Sequence, residues 1–155
     1  MFSIQKLDSS TVAPFICWRC TDQYMKQIIE QEIVYQNEGT RVIFIAKFNE
    51  SIVGTVEFVS THRDRELADG RVIAYLQGLD VDPQCRRQKI GTRLVNTVEQ
   101  EALSRNFECL SVMVEPNNIP ALNLYQKLGF KEFKRSIDLW QDKQYPVICL
   151  LKKVS

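Results

Sequence analysis

This chain of 155 residues has a composition that is ordinary for a globular protein, with 45% hydrophobic and 25% charged residues. Its length suffices to bury a core, so we expect residues 1–155 to form a single domain. The formal net charge of +1 argues against the broad positive surface of a nucleic-acid-binding protein, and no apolar stretch approaches the roughly 20 residues of a membrane-spanning helix.

The first part of the chain predicts helices followed by an antiparallel hairpin. In chain order, the predicted elements are a strand at residues 2–7, one or two helices within 9–36, two strands at 41–47 and 51–60, and a polar loop at 61–70. The two later strands are rich in valine, isoleucine and phenylalanine, and Asn49 and Glu50 between them suit a tight turn.

The second part of the chain predicts an alternation of strands and helices. In chain order, the elements are a strand at 72–81, a helix after Gln88, a strand at 108–114, a short helix before Gly129, and two strands at 130–140 and 145–151 that turn at 141–144. The longer helix is indicated by apolar residues at every fourth position, namely Ile90, Leu94, Val98 and Ala102. For the short helix, Asn117 or Asn118 can cap the start, Pro120 suits the first turn, and Gly129 suits a left-handed C-terminus.

Helices and strands are mixed in this order, and the hairpins make antiparallel pairs dominant. The pattern predicts an α+β fold with a central mixed, mostly antiparallel sheet and helices on both faces.

A basic turn joins the strand at 72–81 to the following helix. The turn carries Arg86, Arg87 and Lys89, and the first turn of a helix presents unpaired N–H groups and partial positive charge. This combination predicts an anion site that suits a phosphate. Gly91 is the only glycine in the turn, which excludes both the Walker and the dinucleotide-binding glycine patterns.

Two motifs resemble those of the GNAT superfamily of N-acetyltransferases. Arg86, Ile90 and Gly91 match its acyl-CoA motif, with Lys89 standing at the position of the usual first glycine. A second signature follows in the family's order, matched at Asn118, Ala121, Tyr125, Lys127, Gly129 and Phe130. Because Lys89 replaces a glycine, the glycine-only backbone conformation cannot be assumed there.

The resemblance implies that acetyl-CoA is the co-substrate. Its thioester would lie between the strands at 72–81 and 108–114, and its pyrophosphate at the start of the helix after Gln88. The positions implied in cofactor binding are Leu79, Asp80, Val81, Arg86, Arg87, Gln88, Lys89, Ile90, Gly91, Thr92, Asn118 and Tyr125.

Acyl transfer to an amine requires removal of a proton from the amine, stabilisation of an oxyanion and protonation of the thiolate. The resemblance implies Tyr125 as the general acid; the alternative is a core aromatic residue. Glu57, with Tyr75, is the candidate to hold a water as the base, although a strand glutamate is more often a solvent-facing residue. The resemblance also implies that Tyr75 and Gln77 lie where some relatives carry a catalytic carboxylate, and that Met113 occupies the corresponding place on the next strand.

The acceptor is expected to be a primary amine, first of all that of a small molecule. Candidate aromatic contacts are Trp18, Tyr24, Tyr35, Trp140 and Tyr145, and candidate acidic contacts are Asp22, Glu30, Glu32, Glu66 and Asp69. Packing and solvated charge are the alternatives for each.

Three other functions stay open. The first is acetylation of a peptide N-terminus, although Met113 stands where a glutamate is expected for that activity. The second is a catalytically silent acyl-CoA sensor, and the third and weakest is nucleic-acid binding. Monomer and homodimer stay open.

Five cysteines, an odd number, occur without a secretory signal and suggest a reducing cytoplasm. Cys17 and Cys20 have the spacing of a redox motif, but two cysteines and the lone His62 make a poor metal site. Structural thiols are the preferred interpretation, and no bound metal is expected.

Overall fold

The computed structural model describes residues 1–20, 22–86 and 88–155. Arg87, one of the predicted phosphate ligands, lies outside the described residues. The elements in chain order are β1 (Phe2–Lys6), α1 (Val12–Arg19), α2 (Gln23–Asn37), β2 (Arg41–Phe48), β3 (Ser51–Val59), β4 (Ile73–Val81), a 3₁₀ turn (Pro83–Cys85), α3 (Ile90–Ser104), β5 (Cys109–Val114), α4 (Ile119–Lys127), β6 (Lys131–Trp140) and β7 (Lys143–Lys153).

The strands form a seven-stranded mixed sheet in the order β1-β2-β3-β4-β5-β7-β6. The pairs β1–β2, β2–β3, β5–β7 and β6–β7 are antiparallel, whereas β4 and β5 are parallel. Parallel neighbours need a long crossover, and α3 supplies it. The predicted α+β fold with a mixed, mostly antiparallel sheet is confirmed.

The chain divides into two compact units. The first unit contains Met1–Val59 and Gly78–Val98, and the second contains Ser60–Gln77 and Glu99–Ser155. Strand β4 and helix α3 therefore each contribute residues to both units. The prediction of a single domain stays a prediction.

In the first unit, α1 and α2 pack on the hairpin of β2 and β3. Their shared core consists of the buried side chains of Leu7, Phe15, Ile29, Ile43, Ile45 and Ile52. Trp18 packs against this core and stacks on Phe15, with ring centroids 6.5 Å apart. Burial of this apolar surface fixes both helices on one side of the hairpin.

The apolar stripe predicted for α3 is confirmed, because Ile90, Leu94, Val98 and Ala102 are all at most 3% exposed. Within the described ranges, no helix combines the length and the apolar character needed to cross a membrane.

In the second unit, the predicted punctuation of α4 is confirmed. The Asn118 side chain accepts a hydrogen bond from the Ala121 N–H at 3.2 Å, and Pro120 lies in the first turn. Gly129 adopts a φ of +96° just after the helix, a left-handed conformation that favours glycine.

The turn of the final hairpin differs from the prediction. It contains only Gln141 and Asp142, with φ values of +51° and +63°, and β7 already begins at Lys143. Two successive left-handed residues match the twist of the flanking strands. The four-residue turn at 141–144 was wrong because neither residue is the glycine or asparagine that usually indicates such a turn.

Candidate functional site

The start of α3 in the first unit has the geometry of an anion site. The Arg93 N–H donates to the Lys89 carbonyl at 3.1 Å, which begins the helical hydrogen-bonding pattern. The N–H groups of Ile90, Gly91 and Thr92 therefore precede the first residue that can find an intrahelical acceptor. Ile90 as a whole is only 3% exposed, so its side chain does not contact a ligand at the surface. Arg86, Gln88 and Lys89 are exposed beside it.

Lys89 adopts a φ of +61°, the left-handed conformation that its glycine counterparts adopt easily. The lysine thus preserves the backbone turn into α3. A non-glycine residue pays roughly 1–2 kcal/mol for this conformation.

We expect Lys89→Gly to be more stable than Lys89→Ala by about 1 kcal/mol, because only glycine removes the clash of Cβ. Both variants lose the same charge, so each is the other's control. Chemical denaturation of the purified variants measures the difference. Equal stabilities would show that the left-handed conformation at this residue is wrong.

The end of β4 in the first unit carries Leu79, Asp80 and Val81. Gly78 before them has a φ of +67°, which interrupts the regular strand. The Asp80 carboxylate forms an ion pair with Arg19 at 3.1 Å, so its side chain is engaged within the protein. Leu79, Asp80 and Val81 can therefore bind a cofactor through main-chain hydrogen bonds.

A pair of glutamates lies in the first unit. Glu57 on β3 is 4% exposed, so it is not the solvent-facing residue that was considered as the alternative. It is hydrogen-bonded to the half-buried Glu32 on α2. Burial, followed by the charge and hydrogen bond of Glu57, raises the pKa of Glu32 to about 8, and Arg41 and Arg19 act in the opposite direction.

The two carboxyl groups therefore share a proton at neutral pH. Two carboxylates in contact repel each other, so ionising both of them costs free energy. The sequence offered one signal that was missed: Glu32 follows Ile29 by three residues, which places it on the buried side of α2.

The Glu32 pair predicts a pH dependence of stability. In the unfolded chain Glu32 titrates near 4.5, whereas the folded protein keeps this proton up to about pH 8. Across that window the unfolded state binds fewer protons, so the free energy of unfolding falls as the pH rises. Glu32→Gln stays neutral and should lose less stability across the window than the wild type, measured by urea unfolding at a series of pH values.

Glu30→Gln is the matched control, since Glu30 is an exposed residue of the same helix. Its stability should follow the wild-type pH curve. Parallel curves for Glu32→Gln and the wild type would contradict the shared proton.

Tyr125 lies on α4 in the second unit and is 4% exposed. Its ring packs edge-on against Phe130, with centroids 5.4 Å apart. Burial raises the pKa of Tyr125 above its ordinary value, so the hydroxyl stays protonated at neutral pH. The residue is a core aromatic, and it is also in the protonation state that a proton donor requires.

A cavity of about 420 Å³ lies in the second unit. Pairing between β4 and β5 runs from Ile73–Cys109 to Leu76–Val112, and Met113, the next residue of β5, lines the cavity. The full lining is Tyr75, Met113, Glu115, Asp138, Trp140, Tyr145 and Val147. Two predicted acceptor contacts, Trp140 and Tyr145, are thus brought together, whereas Asp138 and Glu115 were missed.

Sequence reasoning could not select these carboxylates, because β6 and the end of β5 are joined only by the fold. In the hairpin, Asp138 pairs directly with Tyr145 and Trp140 pairs with Lys143. The residues at 138 and 140 project to one face of the hairpin, since side chains alternate along a strand.

Several predicted acceptor contacts have structural roles instead. Asp22 caps α2 by accepting from the Met25 N–H at 2.8 Å, and Glu66 forms an ion pair with Lys134 at 2.9 Å. Asp69 accepts hydrogen bonds from the N–H groups of Arg71, Val72 and Ile73. These three carboxylates are engaged within the protein, and attraction of a cationic amine by them stays a prediction. All five cysteines are free thiols.

The chain is similar to known acetyltransferases in sequence and in fold. A model of the acetyltransferase (GNAT) family matches residues 8–130. N-alpha-acetyltransferase 30 of Dictyostelium discoideum is 29% identical over 103 residues, which are 65% of this chain and 52% of that protein. Streptothricin acetyltransferase of Escherichia coli is 27% identical over 130 residues, which are 84% of this chain and 67% of that protein. The chain thus spans about half the length of the Dictyostelium relative.

Solved structures share the fold. The ribosomal-protein-S18-alanine N-acetyltransferase of Escherichia coli has a TM-score of 0.75 at 20% identity, over 100% of this chain and 95% of that one. A GNAT family acetyltransferase from Elizabethkingia anophelis, with acetyl-CoA bound, has a TM-score of 0.70 at 17% identity, over 98% and 97% of the two chains. At these identities the likeness shows the fold.

Proposed function

Because this chain belongs to the acetyltransferase (GNAT) family, we propose that it transfers an acetyl group from acetyl-CoA to a primary amine of a small molecule. The observation that carries the proposal is the start of α3, where Lys89 takes the left-handed conformation in the position of the family's glycine. This conformation turns the chain into the helix, whose first N–H groups suit a diphosphate.

The cofactor would be held mainly by main-chain groups. In this proposal, the N–H groups from Gln88 to Thr92 bind the pyrophosphate, and the exposed Arg86 and Lys89 add charge. The main chain at Leu79, Asp80 and Val81 binds the amides of the pantetheine arm. Asn118, whose side chain is engaged in capping α4, contributes by placing the helix that carries Tyr125.

The proposed reaction needs two residues that transfer protons, one for the acceptor amine and one for the departing thiolate. Glu57, through a water, accepts the proton that the acceptor ammonium loses, with the carboxyl group of Glu32 hydrogen-bonded to it. The neutral amine attacks the thioester carbonyl, a C–N bond forms, and the C–S bond breaks. Tyr125 donates its proton to the departing thiolate, and the proton that the nitrogen loses as the amide forms returns to Tyr125, so that the acetylated amine and the CoA thiol are the products. The joint role of Tyr75 with Glu57 stays part of this proposal.

A peptide N-terminus is the second candidate acceptor, favoured by the names of two similar proteins, an N-alpha-acetyltransferase and a ribosomal-protein-alanine N-acetyltransferase. Against it, Met113 supplies a thioether to the cavity of the second unit rather than a carboxylate. A small amine fits the cavity of about 420 Å³, which lies within the range of small-molecule sites.

The direct test is mass spectrometry of a panel of amines and short peptides incubated with the protein and acetyl-CoA. Acetyl transfer to small amines above the peptides supports the proposal. Binding of acetyl-CoA without any modified amine would favour a silent sensor, and preference for peptides would favour the second candidate.

Arg86→Ala should weaken acetyl-CoA affinity by about 10- to 100-fold, because a charge-assisted phosphate contact contributes on the order of 1.5–3 kcal/mol. Arg71→Ala is the control, since Arg71 is an exposed arginine of the second unit. Isothermal titration calorimetry measures both affinities. Equal affinities for the two variants would remove Arg86 from the phosphate site.

A further inference from the structure

We infer that the acceptor carries a second cationic group besides the amine that is acetylated, and that the cavity lined by Glu115, Asp138, Trp140 and Tyr145 binds it. We call this the acidic cavity. The inference rests on the proposed function and deepens it, because it names the chemical class of the acceptor.

The first argument is the state of the two carboxylates. Within the described part of the chain, neither Glu115 nor Asp138 forms an ion pair. Other carboxylates of the second unit do, namely Asp64 and Glu66 with Lys134, Glu99 with Lys152, Glu101 with Arg105, and Glu132 with Arg135. Two negative charges in one concave site without a cation from the protein attract a cation from solution.

The second argument is the aromatic lining. Tyr75, Trp140 and Tyr145 surround the same space as the carboxylates, and Trp140 is 41% exposed. Aromatic faces attract ammonium groups as well as alkyl chains, and tryptophan does so most strongly. A ligand with an apolar chain that ends in an ammonium group satisfies both parts of the lining.

The third argument is the shape of the site. A second cavity of about 340 Å³ shares Met113 and Asp138 with the acidic cavity, so Asp138 lines both. The acidic cavity also reaches β5 immediately after its pairing with β4 ends at Val112. An extended molecule can therefore occupy this region with its cationic end beside Asp138.

The same charges disfavour other acceptors. An amino acid would bring its own carboxylate towards Asp138 and Glu115, and like charges in a partly desolvated site repel. The acidic cavity thus selects for diamines over simple amines and against acceptors with an acidic group near the amine.

The test compares 1,5-diaminopentane with 1-aminopentane as acceptors, since the two probes differ only in the second amine. We expect kcat/KM for the diamine to be roughly 10-fold higher, the effect of one charge-assisted contact. Asp138→Asn and Glu115→Gln should raise KM for the diamine, leave its kcat unchanged, and lower kcat/KM for the diamine by a larger factor than kcat/KM for the monoamine.

Glu132→Gln is the matched control, because it removes the same charge from β6 outside the acidic cavity. It should retain the full preference for the diamine. Equal kcat/KM for the two amines in the wild type, or an unchanged preference in the double variant Asp138→Asn/Glu115→Gln, would overturn the inference.

Calorimetry separates failure of the inference from failure of the proposed function. If no amine is acetylated, the proposed function fails, and titration of 1,5-diaminopentane into the wild type and the double variant still decides the inference. Binding that the double variant loses supports the cation site. Absent or equal binding overturns it.

Discussion

Tyr125→Phe lowers kcat for acetyl transfer by roughly 10²–10⁴-fold, the usual contribution of a positioned proton donor, and leaves acetyl-CoA affinity unchanged. The phenylalanine ring keeps the edge-on contact with Phe130 and the burial of α4, so the change removes the hydroxyl alone. Steady-state kinetics and calorimetry of acetyl-CoA binding measure the two quantities separately.

Tyr35→Phe is the control for this variant. The Tyr35 ring lies under the Arg41 guanidinium at 4.7 Å, a contact that phenylalanine also provides. This variant should retain wild-type turnover. Unchanged turnover in Tyr125→Phe would remove the acid role and leave Tyr125 as a packing residue.

Glu57→Gln should lower kcat by roughly 10²–10⁴-fold at neutral pH, because the amide cannot accept the proton from the acceptor. Since free amines need no base at high pH, the loss should shrink as the pH approaches the pKa of the acceptor ammonium. The pH profile of kcat distinguishes this from a structural defect, which would lower activity at every pH.

Glu50→Gln is the matched control, because Glu50 lies in the turn of the same hairpin and its side chain is 98% exposed. Thermal unfolding of both variants establishes whether each is folded at the assay temperature. A folded Glu57→Gln with an unchanged pH profile would exclude the base role.

Sequence patterns predicted correctly those elements whose structure depends on residues close together in the chain. The fourfold spacing from Ile90 to Ala102, the cap at Asn118 and the glycine at 129 each predict a local structure, and the structure confirms all three. The turn at Gln141 and Asp142 was predicted two residues too long because it contains no glycine or asparagine, and the strands on either side impose the conformation.

In the candidate site, too, local motifs could be predicted from the sequence, whereas contacts between distant residues could not. The predicted cofactor motif can be read from the sequence because its residues are consecutive, and Lys89 adopts the left-handed conformation there although it is not a glycine. The pairing of Glu32 with Glu57 and the meeting of Glu115 with Asp138 depend on elements distant in sequence. Packing of α2 on the first hairpin brings the glutamates together, and the register of β5, β7 and β6 brings Glu115 to Asp138.

The two-residue turn between β6 and β7 has a consequence for how acceptor choice can change. It fixes Asp138 opposite Tyr145, and one residue inserted or deleted there would shift the ladder by a single step. Asp138 and Trp140 would then exchange faces with Ile137 and Leu139, and an apolar wall would replace the charged one. A change in the length of this turn, with no substitution in either strand, is therefore a route by which the acceptor preference of this scaffold could change from diamines to amines with apolar chains.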